Sequence, residues 1–199
     1  EKLNKDKKIH GILVQLPLPS KIETPLVIRA IDPKKDVDGF NAYNLGKMFL
    51  SKEFEKLAPC TPSGIIKLLE HYKISVAGKN VTIVGRSNIV GKPLAVMLIN
   101  RDATVTVCHS KTRNLTDYTK RADILVAAVG RPNFIKAAMV KTGAIVIDVG
   151  VNKVDGKLVG DVDFKAVAKK ASFISPVPGG IGPMTVACLM ENVIKTFNI

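Results

Sequence analysis

The 199-residue sequence has no tryptophan, and aromatic residues make up only 5% of it. It also has no RNP-like, zinc or helix-turn-helix pattern with stacking residues, so its formal charge of +13 does not by itself indicate nucleic acid, and no nucleic-acid partner is expected. The cations are scattered, and such a field suits a polyanionic small molecule or an acidic substrate as well as it suits plain solubility. No apolar run approaches membrane-spanning length, and no membrane partner is expected. Cys60, Cys108 and Cys188 lie far apart and form no C-x-x-C pair, which argues against a disulfide scaffold or metal site and for a reducing, cytoplasmic setting. Repeats and low-complexity stretches are missing as well. What is present is 46% apolar content, ample for one large domain or two small ones.

The most informative stretch runs from Lys79 to Met97. Val81 to Val84 is a β-branched run of the buried-strand type, Gly85 permits a turn close to a ligand, and Pro93 opens a helix through Ile99. A helix entered this way offers unpaired N–H groups and a positive dipole end to a phosphate. The spacing Gly85, Ser87, Gly91 departs from G-x-G-x-x-G, because a serine able to bond a phosphate replaces the middle glycine. Alone, it reads either as a phosphate cradle or as a plain strand-to-helix connection. A second strand over Thr104 to Cys108 ends in His109-Ser110-Lys111-Thr112-Arg113, where a doubly wound fold places the residue that meets the adenosine ribose. Hydroxyls and cations there, with Arg86 from the first turn, suit the 2′-phosphate of NADP, whereas an NAD site wants a carboxylate. A solvated loop at Lys111 and Arg113 is the plainer alternative.

Two further apolar runs, Ala122 to Val129 and Ala144 to Val149, end in glycine and complete a four-strand α/β core of the doubly wound, parallel, Rossmann-like class. Phe173 to Ser175 leads to Pro178-Gly179-Gly180-Ile181-Gly182-Pro183. These glycines either let a flat ligand lie against backbone or form a hinge before a terminal helix, Val186 to Phe197, capped by Thr185. Upstream, Ile9 to Gln15 reads as a short buried strand halted by Pro17 and Pro19, presenting the Gln15 amide at a strand's carboxyl edge or bonding it to the turn. Pro25 to Ile31 reads as a helix. Lys34 to Phe40 is a turn carrying Asp36 and Asp38, whose plain reading is an Asx-type turn with Gly39 at positive φ. Ile65 to Tyr72 reads as an amphipathic helix with Thr61 as N-cap and Pro62 at its first position.

Taken in order, Gly11-Ile-Leu-Val-Gln-Leu-Pro-Leu-Pro19, Lys35-Asp-Val-Asp-Gly39, Pro59-Cys-Thr-Pro62, Gly85-Arg-Ser-Asn-Ile-Val-Gly-Lys-Pro93 and Pro178-Gly-Gly-Ile-Gly-Pro-Met-Thr185 closely resemble the methylenetetrahydrofolate dehydrogenase/cyclohydrolase family. The resemblance runs from about Ile9 to the C-terminus. It implies a catalytic domain over 1–61 and 182–199, an NADP-binding Rossmann-like domain over 62–181, and a folate cleft between them. It also implies hydride transfer from 5,10-methylenetetrahydrofolate to NADP⁺, then hydrolysis of the methenyl product to 10-formyltetrahydrofolate, within one-carbon metabolism and purine biosynthesis. Tetrahydrofolate derivatives, polyglutamylated forms included, are the implied substrates, and a homodimer the implied assembly.

By motif position, Gln15 matches the glutamine that positions a catalytic lysine and Asp38 the carboxylate that bonds the pterin. Val14, Leu16, Pro178, Gly179, Gly180, Ile181 and Gly182 would line the folate. Gly85, Arg86, Ser87, Ser110, Val151 and Thr185 would contact NADP, and Cys60 would pack near the cleft without acting as a nucleophile. No metal is implied. The family's catalytic lysine lies in a Tyr-x-x-x-Lys motif upstream of the strand that matches Gly11 to Pro19. Tyr43 and Lys47 share that spacing but follow the Asp38 turn, so they are read as a chance match. Glu1 to Lys8 looks like a helix entered midway, and an upstream portion is expected. The alternative is a non-catalytic NADP-binding module with a basic partner surface.

Overall fold

β-Branched runs buried on both faces build the centre of the molecule, whose structure is a computed structural model describing residues 1–197. β1 (Asn80–Val84), β2 (Thr104–Cys108), β3 (Ile124–Ala127), β4 (Ile145–Asp148) and the short β7 (Phe173–Ile174) form one parallel sheet in the order β2-β1-β3-β4-β7. The side-chain period of two divides the strands between two cores. Val81, Ile83, Ile124, Val126 and Ile147 face one layer with Ile65, Leu94 and Leu98; Val84, Leu125, Ala127 and Val146 face the other with Ile135, Val140 and Val167. The four-strand core and its parallel class are those expected, with β7 added.

The helices on the first face are α4 (Cys60–His71) and α5 (Gly91–Ile99), while the short α6 (Leu115–Thr119) and α7 (Phe164–Val167) pack on the second. α4 begins earlier than its apolar periodicity predicts, and Thr61 does not cap it. Pro59 occupies the N-cap, and the Thr61 hydroxyl pairs with that of Thr185 at 3.0 Å. The last helix, α8 (Ile181–Phe197), likewise starts before its predicted first residue, so Thr185 lies inside it and donates to the Ile181 carbonyl at 3.1 Å. Between β4 and β7 lies an unanticipated hairpin, β5 (Asn152–Val154) and β6 (Lys157–Val159), whose Asp155-Gly156 turn has φ of 48° and 77°. Asp-Gly between short apolar-alternating runs is the sequence signal for such a turn.

The N-terminal segments are organised differently. α1 (Lys2–Lys5), α2 (Thr24–Ala30) and α3 (Ala42–Met48) are short, and the strand expected over Ile9 to Gln15 is reduced to one parallel bridge, Ile12 to Asp36. A strand forms only where neighbours accept its N–H and C=O groups, and here the pairing is a single bond from Ile12 N–H to the Lys35 carbonyl, 2.7 Å. Leu13 is correspondingly 44% exposed. Side chains bonding backbone do the work of a ladder: the Lys35 ammonium donates to the carbonyls of Leu3, Asn4 and Asp6 at 2.7–3.0 Å, closing the end of α1. Asn192 of α8 donates to the carbonyls of Val37 and Ala58 at 2.9 and 3.1 Å, so the C-terminal helix returns to the N-terminal segments. Glu55 and Arg101, bonded at 2.8 Å with the carboxylate almost fully buried, tie the stretch before α4 to the end of α5.

Candidate cofactor and substrate site

β1 and β2 run in register, Val84 opposite Cys108, so the turns beginning at Gly85 and His109 leave the same carboxyl edge side by side. β3 flanks β1 on its other side, which makes this edge the point where the connections diverge and where such sheets bind ligands. Gly85 has φ of 135°, and a Cβ there would lie 2.1 Å from the Ala128 carbonyl oxygen. A Cβ on Gly91 would lie 2.1 Å from the Gly85 oxygen. Both glycines are therefore demanded by backbone packed against backbone.

Ser87 has a different place from that of a helix-top phosphate ligand. Its hydroxyl accepts from the N–H groups of Val90 and Gly91 at 3.1 and 3.3 Å, and its carbonyl accepts from Lys92 N–H at 3.0 Å. The N–H groups at the start of α5, expected to be free for a phosphate, are thus partly consumed by the turn itself. The N–H groups of Arg86, Ser87, Asn88 and Ile89 have no acceptor among the described residues, and they are the donors left for an anion. Across from them His109 and Thr112 close their own turn: His109 N–H donates to the Thr112 hydroxyl at 2.9 Å, and Lys111 N–H to His109 Nδ1 at 3.2 Å. Ser110, Lys111 and Arg113 are left exposed at its tip. No carboxylate stands between His109 and Arg113, so the donors present fit the 2′-phosphate of NADP.

The other half of the site lies where the N-terminal turn meets α8. The two carboxylates of the Lys34–Phe40 turn have separate roles. Asp36 is buried and accepts from the N–H groups of Gly39 and Asn41 and the amide of Asn44 at 2.8–3.0 Å. Gly39 has φ of 72°, as a turn of this kind requires. Asp38 makes no hydrogen bond among the described residues, and burial, reinforced by the nearby Asp36 charge, pushes its carboxyl up to about 6. It is a half-buried acceptor with nothing to accept from.

Cys60 borders this turn, donating to the Val37 carbonyl at 3.4 Å, and burial with the Asp38 charge beside it pushes its thiol up to about 12. A thiol so placed packs and does not attack. The parallel Ile12–Asp36 bridge makes the chain leading to Val14, Gln15 and Leu16 run in the same direction as the chain leading to Asp38. Val14 and Leu16 are half-buried, and Gln15 is exposed, its amide donating to the Leu16 carbonyl at 3.1 Å. In the glycine-rich turn, Gly179 has φ of 95° and a Cβ on Gly180 would lie 2.3 Å from the Pro176 oxygen, whereas Gly182 opens to free space. Two of the three glycines thus have local backbone reasons. Pro178 and Gly179 are exposed, and Ile181 is buried at the start of α8. Tyr43 and Lys47 lie side by side on α3, with the ammonium 5.2 Å from the ring centroid.

Two buried carboxylates that the sequence pattern did not single out shape the edge. Asp161 is fully buried and accepts from the N–H groups of Val129, Gly130 and Arg131 at 2.6–2.9 Å and from the Asn152 amide at 2.9 Å. It clamps the turn after β3 to the segment holding Val151, which is 62% exposed at the same edge. Asp148 accepts from Gly150, Asp161 and Val162 N–H at 2.9–3.0 Å; burial raises its carboxyl, opposed by these three bonds. Asp148, the polar end of an otherwise apolar strand, was a findable signal. Asp161 was not, since most of its partners lie some thirty residues away. No group of three or more His, Cys, Asp or Glu able to hold a metal occurs among the described residues, and none of their helices is long and apolar enough to cross a membrane.

Comparison with known proteins agrees with the fold. Residues 59–199 match the family described as tetrahydrofolate dehydrogenase/cyclohydrolase, NAD(P)-binding domain, and residues 1–38 the corresponding catalytic domain. The bifunctional protein FolD of Campylobacter concisus is 60% identical over 193 residues, spanning 96% of this chain and 68% of its own length. The crystal structure of the bifunctional FolD enzyme from Campylobacter jejuni superposes with a TM-score of 0.93 at 51% identity, covering 99% of this chain and 70% of that one. The Trypanosoma brucei enzyme, crystallised with NADP cofactor and inhibitor, gives 0.93 at 40% identity, covering 99% and 69%. The chain therefore belongs to the tetrahydrofolate dehydrogenase/cyclohydrolase family.

Proposed function

We propose that this chain works in NADP-dependent oxidation of 5,10-methylenetetrahydrofolate and in hydrolysis of the 5,10-methenyl product to 10-formyltetrahydrofolate, a one-carbon donor for syntheses such as that of purines. The observation that carries this reading is the shared edge: free N–H groups from Arg86 to Ile89 and exposed Ser110 and Arg113 in the turns that follow adjacent strands, with no competing carboxylate. When bound, the dinucleotide supplies a hydride acceptor at its nicotinamide C4. The chain's residues bind and orient. Gly85 lets the backbone approach, Arg86 and Ser110 take the 2′-phosphate, Ser87 holds the turn that presents the free N–H groups, and Val151 and Thr185 border the nicotinamide. Pairing of Thr185 with Thr61 supports its fixed position there. Ionised Asp38 accepts N–H groups of the pterin, while Val14, Leu16 and the Pro178–Gly182 backbone line the ring system and Gln15 supplies an amide donor and acceptor at its edge.

The second step needs a group that moves protons around the attacking water. Tyr43 and Lys47 face each other on α3, with Tyr43 61% exposed, which supports reading them as a surface pair. The hydrolysis proposed above therefore depends on a lysine of the Tyr-x-x-x-Lys kind that the resemblance implies, which this pair does not supply, so residues 1–199 assayed alone should show negligible methenyl hydrolysis. We also assign 1–61 and 182–199 to the catalytic domain and 62–181 to the nucleotide domain, a division supported by the bonds from Asn192 to Val37 and Ala58. A cytoplasmic homodimer fits the exposed Val154 and Leu158 of the β5–β6 hairpin and three unpaired, buried thiols. The test is NADP⁺-dependent absorbance change with methylenetetrahydrofolate, alongside equilibrium binding of NADP⁺ and tetrahydrofolate. Tight NADP⁺ binding with no affinity for tetrahydrofolate would favour instead a non-catalytic module, whose partner surface the charge of +13 would supply.

A further inference from the structure

The buried stripe of α8 consists of Ile181, Cys188, Asn192 and Thr196, spaced so that they share one face of the helix. Asn192 is only 4% exposed, and an apolar side chain is the ordinary occupant of such a place, because a buried amide is costly unless its hydrogen bonds are made. Its bonds go to backbone on both sides of one residue. Nδ2 donates to the carbonyl of Val37, which precedes Asp38, at 2.9 Å, and to that of Ala58 at 3.1 Å. Gly39, which follows Asp38, packs on the same Ala58: a Cβ there would lie 2.5 Å from the Ala58 carbonyl carbon, and φ is 72°. One amide therefore staples the segment before Asp38 to the segment on which its other neighbour rests.

Asp38 has no bond of its own to hold it. Its carboxylate is without a hydrogen bond among the described residues, whereas Asp36 in the same turn accepts from Gly39, Asn41 and Asn44. Its place is set by the backbone at Gly39 and at Val37, whose carbonyl also accepts from the Cys60 thiol at 3.4 Å. The titratable groups facing it are Asp36 of its own turn and Cys60 of α4, with Cys188 of α8 behind the thiol. α8 opens at Ile181, within the turn assigned to the folate, and Asn192 follows three turns later, about 16 Å along the axis. A single helix thus carries the glycine-rich turn at its start and the Asp38 staple further on. We propose that Asn192 is a positioning residue for the pterin: through Val37 and Ala58 it sets where Asp38 stands relative to the Pro178–Gly182 turn, and so governs tetrahydrofolate affinity without touching the substrate. The assignment rests on the folate reading of Asp38 above.

A double-mutant cycle tests it, read by calorimetric titration of tetrahydrofolate at pH 7.5. Asn192→Ser should weaken tetrahydrofolate about ten-fold and leave NADP⁺ within about two-fold, whereas in an Asp38→Asn background the same substitution should weaken tetrahydrofolate by less than about two-fold, because the residue it positions is already gone. Equal losses in the two backgrounds show a merely structural effect and overturn the assignment. The pH dependence of binding gives a second reading. Released from its half-buried place, the Asp38 carboxyl regains water, and the midpoint should fall from about 6 toward the ordinary value of 3.8 in Asn192→Ser. An unchanged midpoint overturns the assignment. Thr196→Ala, in the same stripe but bonded within α8, should leave affinity within about two-fold and the midpoint in place; a shift equal to that of Asn192→Ser counts against the assignment. Cys60→Ala removes the weaker donor to Val37 and should move both readings the same way by less. Where Asn192→Ser does not fold, this variant decides, and no change in it overturns the assignment. Asp38→Asn binding tetrahydrofolate as tightly as the unmodified chain overturns the folate reading and this assignment with it; binding that needs Asp38 but falls equally in both backgrounds overturns this assignment alone.

Discussion

The nucleotide-binding stretch and the N-terminal segments solve the same problem by different means. From β1 to β7 the backbone groups pair with one another in a five-strand ladder, and β-branched side chains fill both faces. Between Glu1 and Ala58 there is no such ladder, and Asp36, Asn41, Asn44, Lys35 and Asn192 bond the backbone with their side chains. The segments outside the ladder also leave apolar side chains uncovered. Val186, Met190, Ile194 and Phe197 form an exposed apolar stripe along α8, and Leu13, Leu26, Phe49 and Leu50 are exposed on the N-terminal segments. Where hydrophobic periodicity governs burial, a sequence announces its structure; where single polar side chains hold the chain, it does not.

That contrast can be broken most forcefully at Asp161. Asp161→Ala strands four part-buried donors at the nucleotide edge, and should cost on the order of 3 kcal/mol in denaturant unfolding and abolish measurable NADP⁺ binding. Asp36→Ala, with three donors in the other region, should cost a similar amount but leave NADP⁺ affinity within about three-fold. Equal loss of NADP⁺ binding in both would erase the distinction between the regions. Next in size is Gly85→Ala. The added Cβ meets the Ala128 carbonyl and the residue has φ of 135°, so a cost of about 2 kcal/mol and at least ten-fold weaker NADP⁺ binding are expected by calorimetry.

The smallest effect has a distinctive sign. The Asp38 carboxyl is raised to about 6 in the folded chain, so its ionised form is disfavoured by folding, fully above that pH and not at all below its unfolded value near 3.8. Asp38→Asn should accordingly stabilise the chain at pH 7.5 by about 1 kcal/mol after discounting for solvent screening, a rise of roughly 2–4 °C in melting temperature. The gain should vanish by about pH 3.5. The same variant should weaken tetrahydrofolate binding. In the unmodified chain that binding should fall as pH drops through about 6, because the protonated carboxyl loses acceptor capacity. A melting temperature unaffected at pH 7.5 would contradict the buried, unsatisfied state of Asp38.

How much of this was legible follows the same division. β1, β3 and β4 and their glycine stops stand in the sequence because burial on both faces demands unbroken apolar runs. The strand over Ile9 to Gln15 shows a comparable run yet does not form, since a run cannot reveal whether a neighbour is there to pair with it. Thr61 and Thr185 looked like caps because hydroxyls beside prolines commonly are; their partners proved to be each other, across 124 residues. Ser87 is a case of partial legibility. Its importance was readable, whereas its bonds to Val90 and Gly91, and hence the transfer of anion-binding donors to Arg86 through Ile89, depend on turn geometry that spacing does not encode.

The central claim is that the paired turns after β1 and β2 recognise the 2′-phosphate of NADP. Calorimetric titration of NADP⁺ and NAD⁺ against the chain and its Arg86→Ala, Ser110→Ala double variant tests it most directly. NADP⁺ should bind the chain more tightly than NAD⁺, and the double variant should lose roughly ten- to hundred-fold in NADP⁺ affinity while NAD⁺ stays within two-fold. Equal losses for the two dinucleotides, or an unchanged preference for NADP⁺, would contradict it.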